Sequence, residues 1–104
     1  MKISVITACY NNATTIKTTI QSVKKQTHND IEFIVVDGGS KDGTLDVIRE
    51  HRDCITTLVS EPDTGIFNAY NKGVNLATGD VVGFLNSDDF FPNERIITKV
   101  AETI

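Results

Sequence analysis

Hydrophobic positions along the chain switch repeatedly between two periods. Residues 2–10, KISVITACY, form a β-branched apolar run that predicts a strand. In residues 13–26, Ile16, Ile20 and Val23 recur at helical spacing, with Asn12 as the predicted N-cap. Residues 31–37, IEFIVVD, predict a second strand, and GGSKDG reads as the turn after it. Residues 44–51 predict a helix with Leu45 and Ile48 inward, and residues 54–60, CITTLVS, a weaker third strand. A helix over 65–77 would align Ile66, Tyr70, Val74 and Ala77 on one face. Residues 80–86 predict the fourth strand. Residues 92–104 predict a last helix that begins at Pro92 and turns Ile97, Val100, Ala101 and Ile104 inward.

Strands that alternate with crossover helices imply an α/β fold, a Rossmann-like parallel sheet with helices on both faces. The first, second and fourth strands are apolar at nearly every position, as strands held between helical layers should be. Ligands of such sheets bind beyond the carboxyl ends of the strands, where the strand order reverses. The positions that follow each strand are therefore the ones to read. They are Cys9 to Asn12, Asp37 to Ser40, Ser60 to Gly65, and Asn86 to Asp89.

The fourth of these ends, FLNSDDFFP, sets Asp88 beside Asp89 directly after an apolar run. Two carboxylates about 4 Å apart repel by about 4 kcal/mol at an effective dielectric near 20. Water, protonation or a bound cation can relieve that repulsion. The pair on its own is also good turn and cap vocabulary. Phe84, Leu85, Phe90 and Phe91 crowd it and favour the cation, a hard divalent ion such as Mg²⁺ or Mn²⁺ that completes its shell with phosphate oxygens and water. Asp37 reads either as the acceptor of an Asx-type turn or as a ligand contact at a strand end. Gly38 and Gly39 would let a ligand approach the backbone. Tyr10 is either a rim aromatic or a flat face for a nucleobase. The helix start in TGIF, at Gly65, suits anionic groups.

Length and charge narrow the classes. A chain of 104 residues is one domain, or a piece of one. Its formal net charge of −4 gives no electrostatic reason to bind nucleic acid or an anionic membrane. Cys9 and Cys54 lie in strand-like runs away from any metal-ligand spacing and read as inert buried thiols. No run is apolar enough to span a bilayer and the N-terminus has no leader layout, so the expectation is a cytoplasmic chain. His28 and His51 read as surface residues. The first turn, CYNNAT, lacks the GxGxxG of a dinucleotide fold, and GxxxxGK[ST] is absent from the chain. Strand one ends without the acids of a phospho-acceptor receiver, and without the glycines of a sugar-activating nucleotidyltransferase.

The segments SVITACYNN, FIVVDGGSKDGT, EPDTGIFNAYNKGVNLATGD and VGFLNSDDFF, in that order and spacing, resemble the N-terminal half of glycosyltransferase family 2, which has the GT-A fold. The resemblance runs from about residue 2 to residue 95. It implies a sugar transferred from a nucleotide-diphosphate sugar, commonly a UDP-sugar, to an acceptor hydroxyl, with Mn²⁺ or Mg²⁺ and with inversion. It implies donor-nucleotide contacts at Ala8, Tyr10, Asn11, Asp37, Gly38, Asp63, Gly65, Asn68 and Asp88, with Asp89 as the metal ligand. Many members carry ARN where this chain has AYN, so Tyr70 stands in place of an arginine and Lys72 is the alternative phosphate contact. The family's catalytic base falls downstream of Ile104. The acceptor, saccharide or lipid-linked, is not specified, and the parent enzyme is expected to touch the inner face of the membrane.

Three readings follow: a sugar transferase, a module that holds a nucleotide diphosphate and metal without turnover, and an α/β scaffold whose acids are only caps. The fourth strand is expected near one side of the sheet, where an open apolar edge would pair with further strands or with another copy of the chain.

Overall fold

In the computed structural model, which describes residues 1–62 and 65–103 and the backbone alone at 66 and 67, the predicted alternation is present. Strand β1 spans Ile3–Cys9, helix α1 Ile16–Lys24, β2 Ile31–Asp37 and α2 Thr44–Glu50. A short 3-10 turn at Arg52–Cys54 leads to β3, Thr57–Ser60. Helix α3 spans Ile66–Leu76, β4 Val81–Phe84 and α4 Ile96–Thr103. Every strand pair is parallel and the sheet order is β3-β2-β1-β4. The chain steps outward from β1 to β3, then crosses back to set β4 on the other side of β1. The order therefore reverses between β1 and β4.

The two faces of the sheet are covered unequally. Ile3, Val5, Phe33 and Val35 point into one cluster with Ile16, Ile20 and Val23 of α1, Ile48 of α2 and Ile97 of α4. On the other face Ile6, Ala8, Ile34 and Val36 pack against Ala69, with Tyr70 and Ala77 at the margin, so α3 covers this side. Its inward row is Ala69, Gly73 and Ala77, one turn apart each time. Val74, predicted inward, is 45% exposed. Small residues won over the larger one because α3 lies close to β1: a Cβ at Gly73 would stand 2.5 Å from Cγ2 of Ile6.

Other expectations shift for local reasons. The first helix is regular from Ile16 with Thr15 at its N-cap; the Asn12 carbonyl accepts the amides of Thr15 (3.0 Å) and Ile16 (2.9 Å), as a cap carbonyl does, but the Asn12 side chain caps no helix amide because its Oδ1 accepts from Tyr10 and Ser87 instead. Pro92 lies four residues before α4, and Val100 is partly exposed. Cys54 sits in the 3-10 turn, not in a strand, and is half-buried. Neither cysteine is in a disulfide. Strand β4 is an edge, and Val82 and Phe84 on its α3 side stay exposed instead of sandwiched. Among the described residues no helix is long and apolar enough to cross a membrane.

The amino ends of the strands are tied by one buried carboxylate. Glu32 accepts the Ser4 hydroxyl (2.7 Å), the Thr78 amide (2.8 Å) and the Thr78 hydroxyl (3.0 Å), with the Lys2 ammonium 3.7 Å away. Burial alone would push its pKa up. The Thr78 amide, the two hydroxyls and the Lys2 charge together outweigh burial and hold it below the ordinary carboxyl value of 4.5. A lowered pKa means stability that is present above that value and lost as pH falls through it. Glu32→Gln should therefore flatten the loss of stability below pH 4.5, read as denaturation midpoints across a pH series.

Gly73→Ala should destabilise the fold by about 1–3 kcal/mol through overpacking against Ile6. Gly83→Ala, whose Cβ would meet nothing within 4 Å, should change stability by about 0.5 kcal/mol at most. Chemical denaturation of the pair checks the contrast.

Candidate nucleotide site

A cavity of about 600 Å³ opens over the carboxyl ends of the strands, on the side covered by α3. That volume lies inside the roughly 300–1,000 Å³ of small-molecule sites. Its floor is the end of β1, with Ala8, Cys9, Tyr10 and Asn12. One wall is the loop after β2, with Gly38, Gly39 and Lys41, backed by Pro62 beyond β3. Gly65 and Ala69 of α3 form the roof, and Ser87 beyond β4 closes the far side. The cavity thus spans the point where the strand order reverses, as the sheet rule requires.

The wall after β2 is built around Asp37. This carboxylate is wholly buried. Its Oδ2 accepts the amides of Gly39 (3.1 Å) and Ser40 (2.9 Å) and the Ser60 hydroxyl (2.9 Å). Its Oδ1 accepts the Ser40 hydroxyl and faces Sγ of Cys9 at 3.5 Å. Five donors on one carboxylate saturate its roughly four lone-pair directions. Asp37 therefore holds the loop and does not line the cavity. Of the two readings open in the sequence, the turn acceptor is the one this geometry matches. Gly39 adopts φ +87°, and a Cβ there would sit 3.4 Å from the Pro62 nitrogen, so the loop lies flat against the segment after β3.

A second clamp joins this loop to β1. Asn11 stands at φ +53°, a left-handed conformation that asparagine tolerates better than most residues. There its amide donates to the Ser40 hydroxyl (2.9 Å) and its Oδ1 accepts the Lys41 amide (2.9 Å). Oδ1 of Asn12 accepts the Tyr10 amide (2.8 Å) and the Ser87 hydroxyl (2.7 Å), which bridges β1 to the loop after β4. Tyr10 is 55% exposed and presents its ring at the mouth.

The two acids are not part of the lining. Asp88 and Asp89 are both exposed and immediately follow Ser87. Asp89 accepts the Phe90 amide at Oδ1 (2.8 Å), and its carbonyl accepts the Thr19 hydroxyl of α1. Asp88 influences Tyr70, whose phenol donates to Oδ1 of Asn86 and whose ring tilts against Phe84 at 4.6 Å. Burial, and then the Asp88 charge, push the Tyr70 pKa up, so this phenol remains a proton donor at neutral pH. Among the described residues no group of three or more His, Cys, Asp or Glu is placed to hold a metal.

Of the residues implied by the family resemblance, Ala8, Tyr10, Gly38 and Gly65 line the cavity. Asn11 and Asp37 shape it from behind. Asn68 lies half-buried in the first turn of α3, outside the lining, and Asp88 and Asp89 are exposed residues that follow the lining residue Ser87 without lining the cavity themselves. Asp63 lies outside the described residues. Lys72 is paired with Glu61 at 3.0 Å. His28 contacts the Met1 carbonyl (2.7 Å) and His51 the Val47 carbonyl (2.9 Å), both away from the cavity. Sequence reasoning read Ser40, Ser60, Pro62 and Ser87 as strand-end positions without giving them a role, and it stopped one residue short of Lys41. Their one signal was position, since all follow a strand end.

Comparison with known proteins agrees with this geometry. Residues 4–104 match the family described as "Glycosyl transferase family 2". An uncharacterised glycosyltransferase of Nostoc sp. is 39% identical over 108 residues, covering 99% of this chain and 34% of that protein. Staphylococcus aureus TarS 1–349, solved in complex with UDP-GlcNAc, superposes with a TM-score of 0.88 at 29% identity, over 98% of this chain and 30% of that one. The mannosyltransferase PcManGT of Pyrobaculum calidifontis, solved with GDP-Man and Mn²⁺, gives 0.89 at 26% identity, over 97% and 31%. The chain spans about a third of the length of the relatives it matches.

Asp37→Asn should cost about 1–3 kcal/mol, because one amide oxygen cannot serve five donors and its NH₂ faces some of them. Hydrogen exchange should show the Gly39 and Ser40 amides losing protection ahead of the β2 interior.

Proposed function

Because the chain belongs to glycosyl transferase family 2, we propose that its cavity holds the nucleotide diphosphate of an activated sugar, a UDP-sugar in the first instance. The protein of which this domain forms the donor side then transfers the sugar to an acceptor hydroxyl. The observation that carries this reading is the cavity itself: nucleotide-sized, at the strand-order reversal, with the exposed Tyr10 in its lining and with Ser87, the residue before the two acids, closing its far side.

Each residue has a task that its position allows. Tyr10 offers a flat apolar face on which a base can stack. Gly38 and Ala8 keep floor and wall low enough for a ribose. Asn11, Ser40 and Asp37 fix the wall and need not touch the ligand. Asp89, with Asp88 beside it, would hold Mn²⁺ or Mg²⁺. The donor set fits, since both groups are hard oxygen ligands and two of them leave room in the shell for phosphate oxygens and water. When bound, such an ion supplies positive charge to a leaving diphosphate. In the transfer, the acceptor oxygen bonds to the anomeric carbon as the bond from that carbon to the diphosphate breaks, and the configuration inverts.

The acceptor's proton must go to a base. Among the described residues no Asp, Glu or His lines the cavity, and our reading assigns the base to another part of the longer enzyme. That observation favours a second statement about the isolated domain: it binds donor without turning it over.

Calorimetric titration with UDP, with and without Mn²⁺, tests the proposal. The metal should strengthen UDP binding at least tenfold, and Asp89→Ala should abolish the metal-dependent part while leaving the weak metal-free part unchanged. Metal-dependent affinity that survives Asp89→Ala would remove this residue from the role.

A further inference from the structure

Most polar groups on the wall after β2 are already used. Four successive amides are spent inside the protein: Gly38 on the Cys9 carbonyl (2.9 Å), Gly39 and Ser40 on Asp37 (3.1 and 2.9 Å), and Lys41 on Asn11 (2.9 Å). The Ser40 hydroxyl donates to Asp37 and accepts from Asn11. The Ser60 hydroxyl donates to Asp37. What this wall can still offer a ligand as a donor is the ammonium of Lys41. Lys41 is exposed, lines the cavity and makes no ion pair among the described residues. By contrast, Lys72 is paired with Glu61.

The sheet order then decides which part of a nucleotide meets Lys41. The acids follow β4 and the lysine follows β2, with β1 between them. Two strand spacings amount to about 10 Å. A diphosphate lying toward Asp89 leaves the base at the opposite end, between Tyr10, Lys41 and Pro62. We propose that Lys41 is a specificity-determining residue: it donates to a carbonyl oxygen on the base edge and so selects keto bases such as uracil over adenine. The inference rests on the nucleotide reading above. Lysine is a donor only. Adenine presents no carbonyl and sets an amino donor beside its ring nitrogens, against the ammonium. The clamp from Asn11 to the Lys41 amide fixes where the side chain starts, so the reach is set by the fold.

The test compares UDP, ADP and inorganic pyrophosphate by calorimetry with Mn²⁺ present, on the unaltered chain and on Lys41→Met. The substituted side chain is exposed, and a circular dichroism spectrum and melting curve confirm that the fold is retained. The unaltered chain should prefer UDP to ADP. Lys41→Met should weaken UDP roughly tenfold, the size expected of a hydrogen bond to a charged group, and leave ADP and pyrophosphate within about twofold. An unchanged UDP-to-ADP ratio overturns the inference and leaves the nucleotide reading standing. Equal losses for all three ligands, pyrophosphate included, overturn it as well and move Lys41 to the phosphates. Failure of the unaltered chain to bind UDP more tightly than pyrophosphate overturns the nucleotide reading itself.

Discussion

A charged carboxylate buried at a strand end organises the ligand side of this domain. Asp37 has no access to water, so its charge must be compensated by donors, and the donors come from three places along the chain: Cys9 at the end of β1, Gly39 and Ser40 in its own loop, and Ser60 at the end of β3. Removing one partner of a buried charged group costs more than the mean worth of its hydrogen bonds, because the desolvation of the charge is no longer offset. The loop after β2 therefore has one low-energy shape. That shape consumes its backbone donors, and it exposes Lys41 while hiding Asp37.

Close packing of α3 supplies the matching constraint overhead. Ala69 and Gly73 bring the helix axis down onto Ile6 and Ala8. A helix held near the sheet at its middle leaves space beyond the strand ends, where Gly65 and Ala69 line the same cavity as Ala8 and Tyr10. The cavity is thus a product of two contacts that lie outside it. One is the small-residue seam under α3. The other is the buried carboxylate under the β2 loop. Neither the Gly73 seam nor the Asp37 carboxylate is in the cavity lining, and both set its room.

Much of this was legible in the sequence. The β-α alternation, the parallel sheet and the rule that directs attention to strand ends followed from periodicity alone, and the fold agrees. The α3 face was misread because a hydrophobicity pattern rewards Val74 and is blind to Gly73, where the absence of a side chain makes the contact. Asn12 was taken for a cap because its type suits one, although Tyr10 and Ser87 compete for the same oxygen. The site was legible as a location and as a set of residue types. It was not legible as a division of labour: that Asp37 is satisfied internally and Lys41 is not depends on hydrogen bonds among residues 9, 11, 37, 40 and 60, which no spacing rule encodes. Serines at strand ends carried the only hint, and in a sequence they look like ordinary loop polarity.

The placement of charge around the cavity has a thermodynamic consequence. With a net charge of −4 the chain offers no general attraction to a diphosphate, and two acids stand where that diphosphate is proposed to lie. Each carboxylate 4 Å from a phosphate charge opposes it by about 1 kcal/mol in water and about 4 kcal/mol at an effective dielectric of 20. A site of this sign binds the anion well only when a cation comes with it, and it holds the cation well only when the anion completes the shell. Coupling of this kind is reciprocal: whatever factor the metal adds to nucleotide affinity, the nucleotide adds to metal affinity. On the reading proposed above, two acids with no third among the described residues are enough for that purpose. A full protein cage would hold an ion whether or not a donor was present, whereas an incomplete one would make the donor a ligand of the ion, so that the two would come and go together.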